Sequence, residues 1–215
     1  LKKTSTVKAS ATISESQFFE AKDLTTTPVP ALNIALSGDV EGGLAPGLTV
    51  VAGPSKHFKS NISLVMVAAY LDKHKDAVAL LYDTEFGITP EYLSNFNIDT
   101  DRVLHTPIEH AEQLKFDLMK QLEEIKKGDK VIIMIDSIGN LASKKELEDA
   151  LDGKSVADMT RAKVLKGLFR MVTPFLNTRN IPMVCVNHTY KEIGLFPRDI
   201  MSGGTGIYYS ANQIF

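Results

Sequence analysis

Residues 48 to 60 read Leu-Thr-Val-Val-Ala-Gly-Pro-Ser-Lys-His-Phe-Lys-Ser. The first five form an apolar run of the kind found in buried strands, and residues 61 to 73 have a helical pattern. A glycine turn that ends in Lys-Ser, after a strand and before a helix, is the frame of a phosphate-binding loop. The stretch therefore predicts an α/β fold whose ligand is a nucleoside triphosphate with Mg²⁺.

Each part of this loop has an expected task. Lys59 is predicted to contact the β- and γ-phosphates, and the Ser60 hydroxyl to bind Mg²⁺. Backbone N–H groups would cradle the phosphates at the start of the helix. The predicted phosphate-binding residues are Gly53, Pro54, Ser55, Lys56, His57, Phe58, Lys59 and Ser60.

Phe58 departs from the motif, which usually has glycine directly before the lysine. A β-carbon is expected to fit at this position only with a negative φ, and with the ring directed away from the phosphates. The loop is thus predicted to keep an unstrained backbone at Phe58.

The composition of the 215 residues is that of one globular domain. A hydrophobic content of 44% supports a core, and a net charge of −2 gives no general attraction to nucleic acid. The single cysteine, Cys185, lies in an apolar run, which indicates a buried, inert thiol in a reducing compartment. The apolar stretches are shorter than the roughly 20 residues of a membrane span, and the N-terminus does not resemble a signal peptide, so we expect a cytoplasmic protein.

Strands alternate with helices along most of the chain. Buried strands are predicted at residues 48–52, 77–82, 131–135 and 183–187, and helices at residues 61–73, 111–127 and 159–177. This alternation predicts a parallel sheet with ligands at the carboxyl ends of its strands. Two stretches, 143–158 and 188–206, fall outside the alternation, and long loops of this kind tend to be functional or disordered. Residues 213–215 look like the opening of another strand, so we expect the protein to continue beyond them.

The N-terminal residues have a different character from the rest. A polar tail leads to a capping box at Ser14 and Gln17, which predicts a short helix that includes Phe18 and Phe19. Residues 25–30 contain two prolines and should be extended. We expect residues 1–36 to form a tail, short helix and extended linker, and residues 37–215 to form the core. The short helix could pack on its own core or on a neighbouring subunit.

Polar side chains end three of the predicted strands. Asp136 follows the third strand and is a candidate for holding Mg²⁺, although an Asp-Ser pair is often only a turn or cap. Glu85 follows the second strand and could orient a water for attack on a phosphate, although Asp83 or Glu85 could equally be a solvated acid. His188 ends the fourth strand, where it could sense the γ-phosphate or serve only in packing.

The order of these motifs resembles the RecA recombinase family, and within it the recombinases of phages, where phenylalanine also precedes the lysine. The similarity covers the chain from about residue 13 to the end. The segments that carry it are residues 34–38 with 42–44, 53–60, 82–90, 135–141 and 187–204. The resemblance implies a RecA-like P-loop NTPase core with a mostly parallel central sheet flanked by helices, plus a short N-terminal arm, residues 14–34, that packs on the next protomer.

The resemblance also implies an activity. It is that of a DNA-dependent ATPase that forms a filament on single-stranded DNA and catalyses homologous pairing and strand exchange with double-stranded DNA. A protein with this activity would act in recombination, repair and recombination-dependent replication in the host-cell cytoplasm. ATP and Mg²⁺ are the implied cofactors, and further copies of the chain, a recombination mediator and a single-strand DNA-binding protein are the implied partners. In the family, cations of the adjacent subunit complete the ATP site, and these map beyond Phe215.

Individual roles follow from the same resemblance. Glu85 matches the catalytic glutamate, Asp136 the Mg²⁺-associated aspartate and Tyr92 the aromatic that stacks on adenine. His188 stands where the family commonly has glutamine, as a γ-phosphate sensor. Residues 149–159 and 190–204 correspond to two DNA-binding loops. The candidate DNA contacts are Arg161, Lys191, Phe196, Arg198, Gly203 and Gly204.

Other functions remain open at this level. A RecA-core helicase shares the core motifs. A P-loop kinase of small substrates would need an Arg-rich lid and an acceptor pocket, neither of which is visible in the sequence. A nucleotide-binding assembly module with little hydrolysis would not need Glu85.

Overall fold

The computed structural model of the chain describes residues 4–7, 10–16, 23–153, 159–192 and 196–215. The strands are β1 (Gly47–Gly53), β2 (Val78–Asp83), β3 (Val103–Pro107), β4 (Val131–Asp136), β5 (Pro182–Lys191), β6 (Asp199–Met201) and β7 (Gln213–Ile214). The α-helices are α1 (Pro30–Ser37), α2 (Lys59–Lys73), α3 (Pro90–Ser94), α4 (Ala111–Glu124), α5 (Lys144–Leu151), α6 (Thr160–Arg179) and α7 (Gly206–Ser210).

The described strands form one sheet in the order β3-β2-β4-β5-β1-β7. All pairs along this path are parallel, and β6 alone is antiparallel, as a short extension of β5. Parallel neighbours require crossover connections, and helices supply most of them across the two faces of the sheet. The predicted α/β fold with a mostly parallel central sheet is confirmed.

Both faces of the sheet are buried, as near-continuous apolar strands require. On one face, β-strand residues such as Val50 and Cys185 pack with α4 and α6; on the other, Val51 and Val184 pack with α2. Cys185 is fully buried, and this burial raises the pKa of its thiol well above the usual range. The predicted inert thiol fits this environment, because the thiolate is the reactive form.

The four predicted strands are present, but several boundaries and elements differ. Helix α4 ends at Glu124, three residues before the predicted end, because the Asp129 carboxylate accepts a hydrogen bond from the Lys126 N–H at 2.8 Å and forms a turn there. Strand β3 lacks an apolar run because it is a partly exposed edge strand. Helix α5 lies in the charged stretch 143–158 and begins with a complete capping box, in which Ser143 and Glu146 bond each other's backbone.

The extended linker ends earlier than predicted. Residues 30–36 are helical, not extended, because Pro30 occupies the first position of α1, where a helix needs no N–H donor. Before it, Thr25 pairs with Leu44 through two backbone hydrogen bonds, so this part of the strip lies on its own core. The predicted helix with Phe18 and Phe19 lies outside the described residues. The division into residues 1–36 and 37–215, and the contact of the arm with a neighbour, stay predictions.

Asn33 fixes α1 to the strip before it. Its side-chain oxygen accepts hydrogen bonds from the backbone N–H and the hydroxyl of Thr27, both at 2.8 Å, and its amide donates to the carbonyls of Thr27 and Val40. The side chain is 2% exposed, so water cannot easily replace these bonds.

Replacing Asn33 by alanine should therefore lower the free energy of unfolding by about 1–3 kcal/mol, since it leaves buried backbone groups unpaired. Ile34→Ala, on the exposed side of the same helix, is the control and should change it by less than about 1 kcal/mol. Urea unfolding followed by circular dichroism measures both. Equal stabilities of the two variants would contradict this account of the N-terminal strip.

Candidate nucleotide-binding site

The carboxyl ends of four strands meet at one edge of the sheet. The parallel register places Gly53 of β1 beside His188 of β5, and Asp83 of β2 beside Asp136 of β4. A cavity of 490 Å³ opens there. It is lined by Ser55, Lys56, His57, Phe58, Lys59, Ser60, Asn61, Asp83, Glu85, Gly87, Ile88, Tyr92, Asp136, Val186 and His188. The structure thus brings together most of the predicted phosphate-binding and catalytic residues.

The loop after β1 has the layout of a phosphate cradle. Residues 54–58 are exposed, whereas Lys59 is 6% exposed and donates a hydrogen bond from Nζ to the Pro54 carbonyl at 2.6 Å. Burial lowers the pKa of Lys59, and the nearby carboxylates of Glu85 and Asp136 oppose this. The ammonium group therefore lies inside the loop, at the N-terminus of a 15-residue helix, where an anion is favoured.

The prediction for the backbone of Phe58 was wrong. Its φ is +54°, in the left-handed region, and Lys56 also has a positive φ of 64°. Phe58 is the N-cap residue of α2, and the chain must turn sharply there out of the loop. The usual glycine meets this requirement without cost, whereas a residue with a β-carbon loses about 1–2 kcal/mol. The side chain is 73% exposed, so packing within the described chain offsets little of that cost.

Asp136 has the environment of a candidate cation ligand. The residue is 4% exposed, and its Oδ1 has no hydrogen-bond partner among the described residues. Burial raises the pKa of Asp136 to about 6, against a hydrogen bond from Ser60 that lowers it. Mg²⁺ typically takes one or two carboxylates together with phosphate oxygens, so the absence of a larger acidic or histidine cluster among the described residues is compatible with it. Asp136 and Ser60 therefore fit the predicted Mg²⁺ site.

Glu85 is held in place by three donors at one oxygen. Its Oε1 accepts from the Ser137 hydroxyl at 2.6 Å and from the Asn140 amide at 3.2 Å, and lies 2.8 Å from Nε2 of His188. Burial tends to raise the pKa of Glu85, but the bonds to Ser137 and His188 outweigh it, and the pKa is lowered. The group is a carboxylate at neutral pH, and the three contacts to described residues are all made by Oε1.

Two further contacts fix the ends of β2 and β4 to each other. The Thr84 hydroxyl donates to the Ser137 carbonyl at 2.7 Å and accepts from the Ser137 N–H at 2.9 Å. Asp83, 1% exposed, accepts from the backbone N–H groups of Glu85 and Phe86. Asp83 thus holds the turn after β2 from a buried position, whereas Glu85 bonds Ser137, Asn140 and His188, and a catalytic role for Glu85 stays a prediction.

Gly139 determines where the His188 ring lies. A β-carbon built on Gly139 would stand 2.3 Å from Cδ2 of His188, so only glycine allows this close approach. Sequence reasoning missed Ser137, Gly139 and Asn140 as site residues. The signal in the sequence was their position just after Asp136. Ser137 and Asn140 reach Glu85, however, only because β4 lies next to β2 in the sheet.

Tyr92 lies at the other side of the cavity, as the second residue after Pro90 in the short helix α3. Its ring meets that of Phe96 edge-to-face, with centroids 5.6 Å apart. This places an aromatic side chain on the cavity wall, but a stacking contact with adenine stays a prediction.

The candidate DNA contacts differ in their exposure and in their hydrogen-bond and ion-pair partners. Lys191 forms an ion pair with Asp199 at 2.9 Å, Phe196 is 87% exposed, and Arg198 is exposed on the turn between β5 and β6. Gly203 and Gly204 follow β6 with positive φ of 87° and 82°. Arg161, by contrast, points inward and donates to protein carbonyls. Residues 154–158 and 193–195 of the two predicted DNA-binding loops lie outside the described residues.

The parallel sheet, the phosphate loop at its carboxyl edge, and the acids at the ends of β2 and β4 define a P-loop core, the class of fold typical of nucleoside triphosphate binding. The RecA N-terminal domain family matches residues 9–212. The chain therefore belongs to the RecA family.

Curated relatives support this assignment. The chain is 53% identical over 213 residues, 99% of its length, to the "Recombination and repair protein" of Enterobacteria phage T4, of which the match covers 54%. It is 27% identical over 185 residues to the protein RecA of Arthrobacter sp. (strain FB24), with 85% of the chain and 50% of the relative covered. The chain thus spans about half the length of the curated relatives it matches. Within the described residues, no helix is both long and apolar enough to cross a membrane.

The raised pKa of Asp136 should be visible in the pH dependence of stability. Between about pH 4 and pH 6 the folded protein holds a proton that the unfolded chain has lost, so the free energy of unfolding falls as the pH rises through this window and stays lower above it. Asp136→Asn removes this effect, and at pH 7.5 it should stabilise the unliganded protein on the order of 1–3 kcal/mol relative to wild type, with no such gain at pH 4.

The exposed acid Asp101 is the control, because Asp101→Asn should show no pH-dependent difference from wild type. Denaturant unfolding at four pH values between 4 and 7.5 measures the free energy of unfolding of the wild type and of both variants. A constant difference between Asp136→Asn and wild type across that range would contradict the burial argument.

Replacing Gly139 by alanine should push the His188 ring away from Glu85. The carboxyl of Glu85 then loses a hydrogen bond that lowers its pKa, so this pKa should rise. Titration of the Glu85 side-chain carbon by ¹³C NMR measures it. Gly167→Ala is the control, since its β-carbon meets only the flexible end of Lys115 at 3.3 Å. An unchanged Glu85 titration in Gly139→Ala would show that the ring does not depend on Gly139.

Proposed function

We propose that the chain is the ATPase core of a DNA recombinase that forms filaments on single-stranded DNA and catalyses homologous pairing and strand exchange. The observation that carries the proposal is the 2.8 Å contact between Glu85 and His188. It joins the acid beside the phosphate loop to the strand that leads directly into residues 190–204, the predicted second DNA-binding loop. The 53% identity to a phage protein named for recombination and repair supports the same process.

Each group of cavity residues would have a separate role in ATP hydrolysis. Lys59 and the loop backbone would bind the phosphates, and Ser60 with Asp136 would hold Mg²⁺, which neutralises phosphate charge when bound. Glu85 is a carboxylate at neutral pH, so it can accept a hydrogen bond from a water and orient it for attack. Tyr92 would bind the base from the cavity wall.

His188 would report the state of the nucleotide. Its side chain is 21% exposed and its ring contacts Glu85, so a γ-phosphate in the cavity could draw either group into a new contact. Strand β5 continues from His188 to Lys191, so a shift of the ring acts at the start of the predicted DNA-binding loop. ATP binding would then favour the DNA-binding arrangement and hydrolysis would release it.

The DNA contacts are proposed from exposure and position. Lys191 and Arg198 carry positive charge on the β5–β6 turn, Phe196 offers an exposed ring, and the backbone N–H groups of Gly203 and Gly204 could donate to phosphates. Because the net charge is −2, binding must come from such local groups. Self-assembly through the N-terminal arm, a mediator and a single-strand DNA-binding protein as partners, and action in the host-cell cytoplasm complete the proposal.

Three other candidate functions predict experimental results that differ from those expected of a recombinase. A RecA-core helicase would unwind duplex DNA with a defined direction rather than pair homologous strands. A kinase would transfer phosphate to a small molecule instead of water. An assembly module would bind ATP with little turnover, and the carboxylate of Glu85, held by three donors beside the phosphate loop, argues against it.

The test is ATP hydrolysis by the complete protein, with and without single-stranded DNA. Glu85→Gln should lower kcat by about 100-fold or more, as loss of a general base does, while nucleotide binding is retained. The exposed Glu124, changed to Gln, is the matched control and should leave kcat unaltered. If DNA neither stimulates hydrolysis nor binds in an ATP-dependent way, the recombinase assignment fails.

A further inference from the structure

Arg161 has surroundings that differ from those of a DNA contact. It lies in the first turn of α6, and its Nη2 is 3.0 Å from the Ile138 carbonyl, 2.5 Å from the Gly139 carbonyl and 3.0 Å from the Ser202 hydroxyl. Its Nε is buried and has no hydrogen-bond partner within the described part of the chain. The Nη2 side of this half-buried guanidinium is therefore directed at the protein.

The three acceptors belong to the two segments that enclose His188. Gly139 lies against the His188 ring, with no space for a β-carbon between them. Ser202 contacts the backbone of the same strand: its N–H donates to the His188 carbonyl at 2.9 Å, and the Asn187 amide donates to the Ser202 carbonyl at 3.0 Å. The Ser202 hydroxyl also donates to the Gly139 carbonyl at 3.1 Å, so the two segments are joined directly next to Arg161.

The start of α6 packs tightly on the same region. A β-carbon at Gly203 would stand 3.0 Å from Leu165, and one at Gly204 would stand 3.3 Å from Ala162. Helix α6 and the segment after β6 are therefore in close contact along two turns of the helix. A displacement of this helix end would move Ser202 and Gly139 together, because both bond to Arg161.

We propose that Arg161 is a positioning residue that holds Gly139, which lies against the His188 ring, and Ser202, which bonds the His188 backbone, and so keeps the His188 ring against Glu85. The inference rests on the proposed ATPase function, since it assigns Arg161 an effect on hydrolysis. It replaces the sequence-based role of Arg161 as a phosphate contact. To reach DNA the guanidinium would have to give up its hydrogen bonds to two carbonyls and a hydroxyl in a half-buried site, which is unfavourable.

The two roles make opposite predictions for Arg161→Met, which removes the charge but keeps an apolar stem. If Arg161 positions His188, DNA-independent kcat for ATP falls by about 10- to 100-fold, the scale expected for a displaced catalytic group, and KM for ATP changes little. The dependence of DNA affinity on salt keeps its slope. If Arg161 contacts a phosphate, the DNA-independent kcat is unchanged and the slope of log affinity against log salt falls by about 0.7–0.9.

Amide hydrogen exchange tests the same inference without any activity. Arg161→Met should speed exchange at Ser202 and across residues 138–140, because these groups lose their common partner. Ser202→Ala should do the same at residues 138–140, to a smaller extent. Arg170→Met is the matched control, since Arg170 is exposed on the same helix, and it should leave exchange and kcat as in wild type.

The outcomes distinguish a failure of the positioning role of Arg161 from a failure of the proposed ATPase function. Faster exchange around His188 together with a lower kcat supports the positioning role. Unchanged exchange in Arg161→Met overturns it, and so does an unchanged kcat with a reduced salt slope. If the wild-type protein does not hydrolyse ATP, the proposed function fails, and the exchange data still decide whether Arg161 organises this region.

Discussion

The register of the parallel strands is the constraint on which the site depends. Side chains at the carboxyl ends can meet only because β1 pairs with β5 so that Gly53 lies beside His188, and β2 pairs with β4 so that Asp83 lies beside Asp136. A slip of one residue would turn each strand's buried set to the opposite face. Because the two faces pack different side chains against different helices, such a slip would break the packing on both faces and is opposed. The same hydrophobic burial that forms the core therefore also sets the geometry of the site.

The parts of the fold that the sequence predicts are those with strong local signals. The four apolar runs that become β1, β2, β4 and β5 are bounded by turn residues, and the phosphate loop has a fixed spacing. Strand β3 and helix α5 have no such signal, since β3 is half exposed and no residue of α5 is buried. Strand β3 forms because it pairs with β2 at the edge of the sheet, and helix α5 begins at a capping box. Both features depend on the surrounding structure more than on amino-acid composition.

Within the site, residue identity was predictable and residue geometry was not. Lys59, Glu85, Asp136 and His188 stand at strand or loop ends that a parallel sheet brings to one edge. The contacts of Glu85 with Ser137 and Asn140 could not be predicted, because they join segments more than 50 residues apart through the order of strands. The backbone of Phe58 was predicted wrongly because the turn into α2 imposes the left-handed conformation on whichever residue occupies that position, even one with a β-carbon.

The burial of Cys185 has a practical consequence for physical study of the protein. It is the single cysteine of the chain and is enclosed between the sheet and its helices, with a thiol that burial keeps protonated. Maleimide and spin-label reagents, which are attacked by thiolates, will therefore find no native target in the folded chain. One cysteine introduced at Phe196, which is 87% exposed, would be a unique attachment point for a fluorophore. Its signal could follow the β5–β6 turn in real time without removal of any native residue from the core.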